Sequence, residues 1–151
     1  MGSATDQGLR DGHEVIADGE WAGWVSYPGE PFEDHAGPFF YRLGEDGAPV
    51  CAMRVEARHL NSFGGVHGGA LMAFADYALF IIARDALRER TAVTAGFDAA
   101  FLGAATAGAL IECRGDVLRN GRSLVAVRGV MTAAGEPVMS FSGLLKKTSY
   151  R

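Results

Sequence analysis

The sequence predicts an α+β fold in which a curved antiparallel sheet wraps around one long central helix. Three observations carry this reading. The run Gly68–Ala83 holds 16 residues and one charged side chain, Asp76, and a helix that is apolar nearly all round is one surrounded by protein. Two strand-like runs precede it and four follow it, parted by turn signals. With 151 residues and a hydrophobic fraction of 48%, the chain has material for one domain with a real core.

Residues 1–20 are polar and without clear period. Asp6, Arg10, Asp11, Glu14, Asp18 and Glu20 interrupt any apolar run that a secretory signal would need. Residues 21–41 are rich in aromatics and broken by Pro28, Pro31 and Pro38, which suits a loop or short helix packed over a core. Residues 1–38 are therefore read as an N-terminal extension and 39–151 as the folded domain. "FFYRL", "EDGAP" and "VCAMRVEA" read as strand, turn and strand. The helix is expected from Gly68 to about Leu87, because Ala, Leu, Met and Phe favour it and "RDALRER" gives it a polar, basic end. "AVTAGFDAAFL", "ALIECRGDVLR", "RSLVAVRGVMTA" and "VMSFSGLLKKT" are the later strands, with an Asn-Gly hairpin signal after the second. Their spacing implies an antiparallel meander.

The net charge of −4 argues against a general nucleic-acid binder. Residues 111–151, however, carry 7 basic and 3 acidic groups, so this part suits either an anionic ligand or ordinary arginines on strand faces. Cys51 and Cys113 make no disulfide framework and are read as free thiols in a reducing, cytoplasmic compartment. The apolar run is too short and too charged to span a membrane.

"HLNSFGGVHGGALMAFADYALFIIA" concentrates the chemistry. Its glycines fit neither a dinucleotide loop nor a Walker loop. A G-x-S-x-G elbow is missing, and His59, His67 and Asp76 fall short of a metal site. What remains is a backbone donor site at a helix start. There, N–H groups lack intrahelical acceptors, the dipole end is positive, and Gly68 and Gly69 let a ligand oxygen approach. Such a site holds a carbonyl oxygen that becomes an oxyanion; a tight turn with glycines for geometry alone is the competing reading. Asp76 lies eight residues beyond Gly68, roughly 12 Å along a helix. One chain does not easily bring both to one scissile bond, whereas two chains with antiparallel neighbouring helices do. If the chain is catalytic, a homodimer with two shared sites follows. Otherwise Asp76 is a buried carboxylate satisfied by Tyr77 or nearby backbone.

"NSFGGVHGG" followed by "ALMAFAD" resembles the hotdog-fold acyl-CoA thioesterases of the PaaI-like branch, within the 4-hydroxybenzoyl-CoA thioesterase superfamily. The family pattern is N-x-x-G-x-x-H-G-G-x-x-x-x-x-x-D, and Asn61, Gly64, His67, Gly68, Gly69 and Asp76 match it without a gap. The order of elements matches across residues 39–147. The resemblance implies a hotdog thioesterase domain over 39–151 that hydrolyses an acyl-CoA to a carboxylic acid and CoA. It implies that the Gly68 N–H polarises the thioester carbonyl, that Asn61 positions that carbonyl or a water (a turn residue capping the approach to the helix being the alternative), and that Asp76 is general base or nucleophile. His67 orients Asn61, assists the departing thiolate or fixes the turn. Thr94 aligns with a hydroxyl that holds the nucleophilic water, or is an ordinary β-branched strand residue; Arg119, Asn120, Gly121, Arg122 and Ser123 fall where relatives bind CoA, or form an exposed hairpin turn with solvated charges. CoA is then part of the substrate, with no separate cofactor. The expected partners are acyl-CoA and further copies of the chain, as a dimer or dimer of dimers, with neither nucleic acid nor membrane. A hotdog hydratase or dehydratase and a non-catalytic acyl-CoA-binding protein are the alternatives. The acyl group is not readable.

Overall fold

A computed structural model describes residues 10–150 of the chain. Two short strands, β1 (Glu14–Val15) and β2 (Val25–Ser26), are followed by a short helix, α1 (Pro31–Ala36). The hairpin β3 (Phe40–Leu43) and β4 (Pro49–Arg54) comes next, then a 3-10 turn at Ala57–His59 and the long helix α2 (Gly68–Ile82). Four long strands finish the chain: β5 (Arg90–Phe101), β6 (Leu110–Asn120), β7 (Leu124–Ala133) and β8 (Glu136–Tyr150). All eight strands form one sheet in the order β1-β2-β3-β4-β6-β7-β8-β5, every neighbouring pair antiparallel.

One side of the helix is in the core, with Leu71, Phe74, Ala75, Tyr77, Ala78, Leu79, Ile81 and Ile82 buried, while Gly69, Met72, Ala73, Asp76 and Phe80 form a stripe that the described residues leave partly uncovered, so the helix is less enclosed than its apolar sequence predicts. Met53, Ile111, Val125, Val127, Met131, Met139 and Leu145 meet it from the sheet. Each such side chain contributes about 1.5–3 kcal/mol on leaving water. Glycine sets how closely sheet and helix approach. A Cβ added at Gly115 of β6 would lie 2.1 Å from the Arg128 carbonyl oxygen and 2.6 Å from Ile82 Cδ1. One added at Gly143 of β8 would lie 2.4 Å from Leu79 Cδ1. The sheet curves around α2 because these strands present bare backbone where the helix side chains press in. Gly115→Ala, which collides with backbone as well as Ile82, is expected to cost about 1–3 kcal/mol or more in overpacking strain, read as a lowered urea midpoint.

Three differences from the sequence reading have physical causes. Helix α2 ends at Ile82, not near Leu87. Ala83 caps it, and the following charged residues continue as turns that still bury Leu87 through its N–H to the Ala83 carbonyl. The last four strands are not one meander. β6, β7 and β8 are, but β5 lies outside β8. The flank of β6 is already taken by β4, with Cys51 opposite Cys113. The β5–β6 connection is also pinned elsewhere: Val66 N–H reaches the Ala105 carbonyl and Gly108 N–H the Val55 carbonyl. The aromatic segment, finally, is part strand and part helix. Trp24, Phe40, Val50 and Ala52 form a second small core, on which Trp21 stacks with its ring 4.1 Å from Phe40. Cys51 and Cys113 are buried free thiols, and burial pushes the Cys113 thiol up to about 12. No helix among the described residues is long and apolar enough to cross a membrane.

Candidate functional site

The site divides between the start of α2 and its middle. At its start, the chain turns back through Asn61–Gly65. Asn61 Oδ1 accepts from the N–H groups of Phe63 (2.9 Å) and Gly65 (3.3 Å), and Asn61 N–H donates to the Gly65 carbonyl. Gly64 has φ of +83°, which favours glycine. The Asn61 carbonyl oxygen of the side chain is thus spent on its own loop, and its Nδ2 has no partner among the described residues.

His67 is the N-cap of α2. Its Nδ1 accepts from Gly69 N–H at 2.8 Å, so the ring proton of the neutral form sits on Nε2. His67 fixes the turn and forms no hydrogen bond to Asn61. Capping disposes of the Gly69 donor, while the Gly68 N–H meets no acceptor among the described residues. It is a donor without an acceptor at the positive end of the helix, on a half-buried residue. The other histidine of the stretch, His59, is structural. It is buried, its Nδ1 accepts from Glu56 N–H at 2.9 Å, and its Nε2 donates to the Ala36 carbonyl at 2.8 Å.

Two turns further on, Asp76 is only half-buried, and its partner is neither Tyr77 nor backbone. Thr94 Oγ1 of β5 donates to Asp76 Oδ1 at 2.5 Å, a short charge-assisted bond. Asp76 Oδ2 accepts nothing among the described residues. Asp76 and Thr94 line a cavity of about 520 Å³. The sequence linked Thr94 to water; the structure ties it to the carboxylate.

The remaining walls were not legible beforehand. Glu33 of α1, Tyr27 and His13 come from the N-terminal segment, Tyr41 from β3, and Tyr77 and Arg84 from α2 and its end. His13 Nδ1 and the Tyr41 hydroxyl are 2.8 Å apart, and Arg10 hydrogen-bonds the Arg84 carbonyl. The Tyr77 hydroxyl is buried without a hydrogen-bond partner, and burial raises its pKa well above the ordinary value. Only Tyr77, beside Asp76 in sequence, offered a local signal. Among the described residues no cluster of three or more His, Cys, Asp and Glu groups suits a metal ion.

The basic turn lies outside this cavity. Arg119 and Arg122 are exposed and make no ion pair among the described residues. Lys147 Nζ donates to Asn120 Oδ1 at 2.6 Å and to the Gly121 carbonyl at 2.9 Å, and Lys147 N–H to the Ser123 carbonyl. Lys147, which the sequence reading leaves out, thus brings a third cation to the turn that carries Arg119 and Arg122. Lys146 pairs with Leu124 on one side and with cavity-lining Val93 on the other. The turn and the cavity wall are thus two strand spacings apart, about 10 Å.

The family model described as the thioesterase superfamily matches residues 63–140. A Pseudomonas aeruginosa protein named as a candidate esterase, PA0474, is 30% identical over 115 residues, 76% of this chain and 86% of its own length. Among solved structures, a variant of the phenylacetic acid degradation protein PaaI from Thermus thermophilus is 28% identical with a TM-score of 0.68, over 79% of this chain and 100% of that one. A hypothetical thioesterase from Streptococcus pneumoniae, solved with coenzyme A, is 21% identical with a TM-score of 0.67, over 75% of this chain and 88% of that one. The sheet wrapped around α2 is the hotdog architecture.

Proposed function

This chain belongs to the thioesterase superfamily, and from that membership we propose that it hydrolyses an acyl-CoA thioester in sites shared between two copies of the chain. The observation that carries the reading is the split of the machinery along α2. Asp76, with one oxygen held by Thr94 and the other open, faces a cavity. The open Gly68 donor is roughly 12 Å away at the helix start. A second copy supplies the missing half of each site. Strand β5 supports such a copy: of the two edge strands, β1 has 2 residues and β5 has 12, and an unpaired edge of that length is a template for another strand.

In the assembled site the thioester carbonyl accepts from the Gly68 N–H of one chain. Asp76 Oδ2 of the other takes a proton from water, whose oxygen attacks the carbonyl carbon. The oxyanion of the tetrahedral intermediate stays against the Gly68 N–H. Its collapse breaks the C–S bond and gives the acid and the thiol. A thiol with pKa near the ordinary cysteine value of about 8.5 leaves without a strong acid. Asn61 Nδ2 and His67 Nε2–H are donors beside the same carbonyl. CoA enters only as part of the substrate, no cofactor is required, and the reaction suits the cytoplasm. Within the extension 1–38, ahead of the catalytic domain 39–151, the described residues that line the cavity, from Arg10 to Glu33, wall its acyl end.

Arg119, Arg122 and Lys147, with the turn Asn120–Ser123, are the proposed seat of the nucleotide phosphates. Arg122→Ala is expected to raise KM for every acyl-CoA alike, more so at low salt because exposed charges are screened within about 10 Å at 0.1 M. Thioesters lacking the nucleotide should be indifferent to it. Loss of activity on those short substrates too would remove the turn from CoA binding. Free thiol released stoichiometrically from an acyl-CoA panel tests the main reading. Disappearance of enoyl-CoA absorbance without thiol release would replace hydrolysis by hydration, and binding with neither signal would make this a non-catalytic member.

A further inference from the structure

Glu33 stands outside the motif and outside the chemistry above. Helix α1 lies against α2, and of its two carboxylates Asp34 is exposed and accepts from Gly29 N–H at 2.9 Å. Glu33 instead is half-buried and lines the cavity with Asp76 and Tyr77. Its carboxyl has no hydrogen-bond or ion-pair partner among the described residues. The groups that act on it are acidic: Glu30 and Asp34 from its own side, Asp76 from α2. Glu33 in turn bears on the unpartnered Tyr77 hydroxyl. Arg84 beyond α2, Tyr27 and Tyr41, and Arg10, Asp11 and His13 of the N-terminal segment complete the ionisable lining.

We propose that Glu33 is a positioning residue of the hydrolytic site, neutral while the enzyme works, whose ionisation adds a second negative charge beside Asp76 and slows the reaction. The inference rests on the hydrolytic reading above. Its physical basis is that the transition state gathers negative charge on the thioester oxygen. A neutral neighbour leaves the field of Asp76 and the helix-start donor undisturbed, and an anionic one opposes the oxyanion. Burial, then the carboxylates of Glu30, Asp76 and Asp34, raise Glu33 from 4.5 to about 7, so the change of charge falls within the working range of pH.

The test follows the loss of thioester absorbance between pH 5.5 and 9 in the full-length protein, its Glu33→Gln variant and its Glu33→Asp variant. The native enzyme is expected to lose activity as pH rises through about 7. The decline is expected to be about tenfold, which corresponds to about 1.4 kcal/mol of added barrier. Glu33→Gln, neutral throughout, should keep its plateau into the alkaline range, and Glu33→Asp should bring the decline back. Denaturation gives a readout independent of activity. An acid whose pKa is raised on folding contributes stability that is fully present below its unfolded value of about 4.5 and is lost as pH rises through about 7. The urea midpoint should therefore fall over this interval more steeply in the native protein than in Glu33→Gln. A native profile without the decline, or a decline that persists in Glu33→Gln, overturns the proposal. If no thioester is hydrolysed at any pH, the hydrolytic reading fails and takes this role with it. A denaturation difference seen alongside that failure would locate the fault in the chemistry and not in the charge of Glu33.

Discussion

Asp76→Asn is expected to lower kcat by about 10² to 10⁴, the usual contribution of a general base, while folding and acyl-CoA binding persist. The substitution is well matched to the site. The Asn side chain retains an oxygen to accept from Thr94 Oγ1, which bonds Asp76 Oδ1 at 2.5 Å, so the tie between α2 and β5 survives. What disappears is the charge and the basic oxygen open to the cavity. Steady-state thiol release, with Kd for a non-hydrolysable acyl-CoA thioether, separates the two effects. An Asp76→Asn protein with near-native kcat on its best substrate would take Asp76 out of the mechanism. A variant that also failed to bind would mean that the carboxylate holds the cavity together and does no more.

That Asp76 was visible in the sequence at all follows from locality. Asn61, Gly64, His67, Gly68, Gly69 and Asp76 sit within one loop and the helix it enters, so spacing alone places them on a common element. The apolar pattern of α2 and the turn residues between strands are local in the same sense, and they convey the helix and the strands. Strand order is not local. β5 lies outside β8 because β4 occupies the flank of β6 and because residues near Ala105 bond back to Val66, contacts that no window of the sequence contains. The same holds for the cavity. Glu33 and Asp76 are 43 positions apart, and α1 carries no periodic signal that would aim one of its two acids inward. Lys147 escaped notice for the same reason, since only the β7–β8 register brings it to the Asn-Gly turn. For Asp76 the alternative of a buried carboxylate satisfied by Tyr77 or nearby backbone is corrected in both parts: it is half-buried and its partner is the Thr94 hydroxyl, 18 positions away in β5.

Gly68→Pro is expected to lower kcat by about 10² to 10³, the loss typical of removing one oxyanion donor, with the helix left standing. Gly68 is the first helical residue and His67 before it is extended, at φ −68° and ψ 135°. These are the two conditions under which proline fits a helix start. Proline takes away the N–H that meets no acceptor in the described structure. Its added Cβ lies 3.2 Å from the ring of Phe101 at the end of β5, which must give by a few tenths of an ångström. Gly68→Ala adds the same Cβ and keeps the N–H, so the difference between the two variants isolates the donor. The pair also tests whether sites are shared. Gly68→Pro and Asp76→Asn chains, each nearly inactive alone, should regain activity when unfolded and refolded together. In a two-fold dimer half the mixed population carries one site with both native groups, which gives about a quarter of native activity. Recovery near zero, with mixed dimers demonstrated by a tag on one chain, would mean that Gly68 and Asp76 of a single chain serve the same thioester, and the two-chain site would be wrong.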